Sequence, residues 1–246
     1  MNGPMRADTT SHPATGRTGT GRRRPVQQRS QERYERILDA CAALLDEAGA
    51  AALTTKEVAQ RAQVPIGTLY QFFAGKEDLL AALAGRNLDH YLHRLDDRLR
   101  SEAPDGPDGF TDLAVEEFVA MKRTVPGFGQ MDFGSQVDFG LGGAAVPNDD
   151  GSGSGDGNGD GSGRYLLDSE VDNNTAVALR LQALGGELFF AAADPAALTL
   201  GLRVALEAAD AVLKLAFRGD PQGDPTMIAE CKRLVRCYLV EQFGRP

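Results

Sequence analysis

Apolar positions recur at helical spacing along most of the chain. Beginning at Gln31, the residues Ile37, Cys41, Leu44, Leu45 and Ala48 fall at i, i+4, i+7, i+8 and i+11, which draws one stripe on a helix that Gly49 ends. Two short periods follow: Val58, Ala59 and Ala62 form one inner face, and Leu69 and Phe73, four apart, form the next. Glu77 to Arg100 reads as a long helix carrying Leu79, Leu80, Leu83, Leu88, Leu92, Leu95 and Leu99, stopped by the Pro/Gly run Pro104 to Gly109. A weaker helix is expected over Phe110 to Arg123, followed by a Gly-punctuated stretch with Phe128, Phe133 and Phe139. Three more helices are expected over Leu166 to Ala192, Pro195 to Phe217 and Asp224 to Phe243, with Pro195 and Pro225 in first turns, where proline is tolerated. Alternating strand patterns are absent, so the fold class is all-α.

Two segments break this pattern. Residues 1–28 are rich in Gly, Thr, Pro and Arg and offer too little apolar surface to offset the entropy of ordering, so they read as a disordered basic arm. Between Leu141 and Gly163 the composition collapses to Gly, Ser, Asp and Asn, the signature of a flexible, solubilising insertion. The expected organisation is an arm over 1–28, a three-helix domain over 29–76, and a helical domain over 77–246 that carries the insertion at 141–163.

The segment Leu53 to Phe73 carries the chemistry. Thr54 and Glu57 have capping-box spacing and should start a short helix, and Pro65 cannot continue it, so a turn falls at Gln63 to Pro65. A second short helix then starts near Pro65 or Ile66. With Leu69 and Phe73 turned to the core, Gly67, Thr68, Tyr70 and Gln71 occupy its other faces, and Gly67 lets the backbone approach another surface closely. Two short helices meeting at a sharp angle make a helix-turn-helix, whose second helix fits the major groove. There Gln71 can pair with a base edge, Thr68 with a base or phosphate, and Tyr70 with the backbone. Thr55 and Lys56 open the first helix, and Lys76 opens the long helix, where a cation joins unpaired backbone N–H groups. A plain αα corner is the structural alternative, but it gives no reason to gather Thr, Tyr, Gln and Lys around one short helix after a basic arm.

Charge changes the picture only when it is divided. The net −9 comprises +5 over residues 1–30, from six arginines and one aspartate, −3 over residues 31–80, and −11 over the remainder. A basic leading arm on an acidic body suits a protein that meets phosphate at one end. Arg17 and Arg22 to Arg24 either enter the minor groove or contact phosphate, or belong to a solvated tail.

The run Val64 to Leu79, VPIGTLYQFFAGKEDL, resembles the helix-turn-helix signature of the TetR family of bacterial regulators, over about residues 31–80. The resemblance implies that Thr55, Lys56, Ile66, Gly67, Thr68, Tyr70, Gln71 and Lys76 face DNA. The chain departs from commoner family patterns at Pro65, where Ser often caps the recognition helix, and at Phe72, where His or Tyr is frequent. Phe72 therefore either packs or meets a thymine methyl.

The family resemblance further implies a homodimer whose last two helices pair across a two-fold axis. The faces offered are Leu198, Leu202, Ala205, Ala209, Val212 and Ala216 on one helix and Ile228, Cys231, Leu234, Val235, Tyr238 and Leu239 on the other, unless these form the internal core. Such a dimer sets two recognition helices about one DNA turn (~34 Å) apart and calls for a pseudo-palindromic operator. A ligand cavity among the middle helices is also implied, with Phe110, Phe118, Met121, Phe128, Phe133, Tyr165, Phe189 and Phe190 as candidate lining or as core. The expected function is a DNA-binding regulator, a repressor released by a small apolar or amphipathic molecule; an activator of the same fold and an architectural DNA binder without an inducer are the alternatives.

Other chemistries find little support. His90 and His93, beside Asp89 and Asp97, lie three and four apart but read as a solvated or core pair, and His12 is the only other histidine, so neither a metal centre nor a His-based triad is expected. Asp156 to Gly161 matches the first six positions of a calcium loop, but position twelve is Leu167 instead of a bidentate Glu. Cys41, Cys231 and Cys237 lack CxxC spacing and read as small hydrophobes. No run approaches the ~18 apolar residues of a membrane span, and the N-terminus lacks a signal-peptide core, so a cytoplasmic protein without catalytic activity or cofactor is expected.

Overall fold

The computed structural model describes residues 23–130 and 173–243. Among the described residues there are eight α-helices and no strand: α1 (Arg23–Ala52), α2 (Thr55–Arg61), α3 (Ile66–Phe72), α4 (Lys76–Glu102), α5 (Gly106–Thr124), α6 (Asn173–Phe189), α7 (Pro195–Ala216) and α8 (Pro225–Phe243).

Helix α1 begins at Arg23, so the stretch from 23 to 28, assigned by composition to an arm, is helical; residues 1–22 lie outside the described residues. Local side-chain pairs one turn apart support this entry: the Gln28 amide donates to Glu32 at 3.1 Å and the Gln31 amide to Glu35 at 2.7 Å. Gly49, at φ 75°, breaks α1 where the sequence placed its end. The Pro/Gly run after α4 acts more narrowly than expected. Ala103 turns left-handed at φ 44° and ends α4, but Gly106 to Gly109 form the first turn of α5, with Pro107 in the tolerated position. The caps of α7 and α8 are aspartates: Asp194 accepts from the Ala197 N–H at 2.9 Å, and Asp224 from the N–H groups of Thr226 and Met227 at 2.7 and 3.1 Å. Of the helix expected over Leu166 to Ala192, the part before Asn173 lies outside the described residues, as do the insertion at 141–163 and the calcium-loop motif.

Two hydrophobic cores organise the described residues. One joins α1, α2, α3 and the start of α4 through Ile37, Leu45, Val58, Leu69, Phe73 and Leu83. The other joins the rest of α4 to α5, α6, α7 and α8 through Leu88, Leu95, Phe110, Val119, Leu202 and Val235. The cores divide inside α4, between Ala84 and Leu88, and not at residue 76 as the motif boundary suggested. One continuous helix thus belongs to both, so a tilt of α4 in the second core is felt in the first. Gly127 makes a second joint. Its N–H donates to Asp46 of α1 at 2.8 Å, and its missing side chain lets the loop lie on Ala42, where a Cβ would come within 2.9 Å of backbone. A third is ionic, from Arg86 of α4 to Asp39 at 2.7 Å and Glu35 at 3.4 Å on α1.

The apolar faces of α7 and α8 divide differently from expectation. Leu198, Leu202, Ala205 and Ala216 of α7 and Cys231, Val235 and Leu239 of α8 are buried in the chain's own core. Roughly a third of the way round α7 runs a second stripe, Leu200, Val204, Ala208, Ala211 and Leu215, with its leucines 60% and 49% exposed. On α8, Leu234 is 46% exposed beside the exposed Cys237.

Candidate nucleic-acid interface and helical-domain cavity

The reading head is assembled by local rules. The Thr54 hydroxyl accepts from the Glu57 N–H at 3.2 Å and donates to the Glu57 carboxylate at 2.8 Å, which starts α2. Val58, Ala59 and Ala62 are buried as expected. The turn forms at Gln63, which takes the left-handed conformation (φ 56°) while the Val64 N–H returns to the Ala59 carbonyl at 3.0 Å. Pro65 then caps α3 without a side-chain bond, and its carbonyl accepts from the Thr68 N–H at 2.8 Å. Leu69 and Phe73 anchor α3 from below, both essentially inaccessible.

The opposite face of α3 is open. Ile66 is 43% and Tyr70 53% exposed, Gly67 and Gln71 are exposed, and Thr68 is half-buried. A Cβ added at Gly67 would meet no atom within 4 Å, so nothing among the described residues requires glycine there. Lys56 is exposed on α2, and the half-buried Thr55 brings its hydroxyl to 3.2 Å from that of Tyr70. Six of the eight sequence-picked residues (Thr55, Ile66, Gly67, Thr68, Tyr70, Gln71) thus lie on α3 or bonded to it, with Lys56 adjacent. Lys76 is placed differently. Its ammonium is half-buried and donates to the Ala50 carbonyl at 2.7 Å, closing the end of α1, and burial lowers its pKa below the usual lysine value. Phe72 packs: its ring meets Tyr34 edge-on at 6.0 Å and Phe73 at 6.2 Å.

Several supporting residues escaped the sequence reading. Tyr34 stacks on Phe73 at 5.2 Å and braces α3 from α1, with its phenol pKa raised chiefly by burial. Arg61 grips Glu47, tying α2 to α1. Asp78 accepts from the Ala74 N–H at 2.9 Å and fixes the turn into α4.

The second core leaves a narrow, partly open cavity of about 80 Å³ between α4, α5, α6, α7 and α8. Phe110 and Phe118, both picked from sequence, line it beside Tyr91 and Leu202. Met121, Phe128, Phe189 and Phe190 belong instead to the surrounding packing, and Phe133 and Tyr165 lie outside the described residues. Phe128 packs edge-on against Phe118 at 5.2 Å, so a ring in the cavity wall touches the loop that rests on α1.

No group of three or more potential metal ligands occurs among the described residues; His90 and His93 are exposed, with His93 3.6 Å from Asp97. Burial pushes the Cys41 thiol up to about 12 and the Cys231 thiol up to about 11, so both stay protonated at neutral pH. No helix among the described residues is long and apolar enough to cross a membrane.

A braced helix-turn-helix joined through a shared helix to a larger helical domain defines a class of DNA-binding regulator. The family model of bacterial regulatory proteins of the tetR family matches residues 37–83, and that of the Tetracyclin repressor-like C-terminal domain matches residues 158–243. A crystal structure of a TetR-family transcriptional regulator from Streptomyces coelicolor is 39% identical, covers 85% of this chain and 99% of its own, and superimposes with a TM-score of 0.64. The chain belongs to the TetR family of transcriptional regulators. It is also similar to the HTH-type transcriptional repressor KstR of Mycolicibacterium smegmatis, 42% identical over 59 residues; that match spans 24% of this chain and 29% of the relative. The fold is shared with RolR in complex with resorcinol, at 17% identity and a TM-score of 0.50, over 89% of this chain and 97% of that one.

Proposed function

We propose that this regulator is a cytoplasmic homodimeric repressor that holds a pseudo-palindromic operator and is released when a small apolar or amphipathic molecule enters its helical domain. The observation that carries the reading is the α3 face: Ile66, Gly67, Tyr70 and Gln71 stand exposed on a helix whose other side is fixed by Leu69 and Phe73. In the groove, Gln71 reads a base edge, Tyr70 and Thr68 hold phosphate or base, and Gly67 admits the close approach. Thr55 and Lys56 contact the flanking backbone. Lys76 acts there through α1, whose end it closes, and its helix N-terminus supplies the phosphate-binding N–H groups. The exposed stripes of α7 and α8 support the dimer, since two such faces from two copies form a four-helix interface. Release follows population shift: a ligand that prefers mis-spaced reading heads lowers DNA affinity by its differential binding. The proposed role has no catalytic step and calls for no metal or cofactor.

Footprinting of the DNA upstream of the gene and its neighbours, at near-physiological salt, tests the reading. Protection of one pseudo-palindrome, lost in both Tyr70→Ala and Gln71→Ala, is expected. Weak uniform binding that salt abolishes and neither substitution changes would overturn it in favour of an architectural role.

A further inference from the structure

Phe118 belongs to two contacts at once. Its ring forms part of the cavity wall and also meets the ring of Phe128 edge-on at 5.2 Å. Within the wall its neighbour Tyr91 stands at 6.4 Å and is held by its phenol, which donates to the Ala114 carbonyl at 3.0 Å. Phe128 is fully buried, so a shift of Phe118 is passed on to its backbone instead of being absorbed by a loose side chain.

The loop that carries Phe128 is tied to itself and to α1. The Val125 N–H closes on the Met121 carbonyl of α5 at 2.8 Å, the Phe128 N–H on the Val125 carbonyl at 3.2 Å, and the Gln130 N–H on the Gly127 carbonyl at 3.2 Å. Gly127, in the left-handed region at φ 75°, sets its backbone so close to α1 that a Cβ would stand 2.9 Å from both the Cα and the carbonyl oxygen of Ala42. Its N–H donates at 2.8 Å to the carboxylate of Asp46, one turn further along α1. Ala42 belongs to the core of the reading head and Phe128 to that of the helical domain. Two aromatic rings and one hydrogen bond thus lead from the cavity wall to α1 by a path that does not use α4.

We infer that this loop is a transmitter parallel to α4: displacement of Phe118 by a guest moves Phe128 and Gly127 against α1, and Asp46 is the positioning residue that holds the reading head to the loop. The inference rests on the ligand-responsive reading above and names the residues through which that response reaches the reading head.

Hydrogen exchange followed by mass spectrometry, on the full-length protein without DNA, tests it, with Phe118→Leu as the perturbation of the wall. Phe118→Leu alone should speed exchange in α1 peptides covering Ala42 to Asp46, and in α2, by roughly threefold or more. Asp46 is exposed, so Asp46→Ala removes little packing. It should speed the same peptides by itself, and adding Phe118→Leu to it should change them no further while α5 still responds. Asp46→Asn keeps an acceptor oxygen and should restore the response to Phe118→Leu. Should Phe118→Leu unfold the helical domain, Phe118→Met, closer in volume, takes its place. Additive effects of the two substitutions, as independent structural roles would give, or a reading head that ignores the change at Phe118, would overturn the inference. Because DNA is absent, failure here leaves operator recognition standing, and a failed footprint leaves this coupling standing.

Discussion

Thr55, the first residue of α2, and Tyr70, in the middle of α3, hold their hydroxyls 3.2 Å apart across fifteen residues of sequence. The contact lies on the exposed side of the reading head, so it contributes little to stability. Its effect is to fix where the phenol of an otherwise exposed side chain stands.

Removing either hydroxyl should therefore weaken DNA binding with little effect on the fold. Tyr70→Phe and Thr55→Val should each lower operator affinity by about 1 kcal/mol, roughly fivefold, and the double variant should fall short of the sum because the two share one bond. Fluorescence anisotropy with the footprinted duplex measures this, and full additivity would show that the hydroxyls act independently.

Gly67 separates stability from function in the opposite sense. Its position is helical and open, so Gly67→Ala should stabilise the protein by about 0.5–1 kcal/mol through helix propensity. The same methyl group stands on the exposed face of α3 proposed to enter the groove and should reduce operator affinity. Urea unfolding and anisotropy on one preparation check both signs. Leu69→Ala, beneath the same helix, should cost about 2–5 kcal/mol in the unfolding assay.

The reading head was legible in sequence because its rules are local. Thr54 and Glu57 cap within one turn, Pro65 must interrupt, and Leu69 and Phe73 share a face by spacing alone. Contacts between distant segments were not legible: the Asp46–Gly127 joint spans 81 residues, and no period announces it. Lys76 shows a subtler limit, since its charge at a helix start suggested phosphate, yet the break at Gly49 leaves the Ala50 carbonyl within its reach. On α7 the sequence showed that apolar residues exceeded one face. Which stripe the chain would bury depended on α6 and α8 packing against Leu198 and Leu202, information absent from the helix itself.

The packing of α4, α5 and α8 carries a pH dependence. Glu116 lies between Lys232 and Arg98; burial raises its pKa, but hydrogen bonds from Lys232 and Arg98 more than offset this and hold it below the usual carboxylate value. A carboxyl whose folded pKa is depressed stabilises the fold above its unfolded pKa, about 4.3, and that contribution is lost as pH falls through the folded value. Glu116→Gln should therefore lower the melting temperature at pH 7 and flatten the loss of stability below about pH 4.5. An unchanged acid limb in thermal melts from pH 7 to pH 3 would count against the pairing.

The proposed interface between copies gives the last prediction. Leu234 projects from α8 beside Cys237 and Met227, along a face its own core leaves open, while Val235 next to it is buried. Leu234→Asp puts a charge on that open face, where the monomer can solvate it and a dimer core would have to desolvate it at a cost of several kcal/mol. The variant should keep its helical circular-dichroism spectrum and sediment as a monomer at micromolar concentration. Since one recognition helix reads too short a site, it should also lose the pseudo-palindromic footprint while its isolated reading head stays folded. Val235→Asp is the contrast: it should unfold the helical domain outright, because its charge would be buried within the chain and not between chains. A Leu234→Asp protein that remains dimeric and protects the full operator would place the two-fold contact elsewhere on the surface.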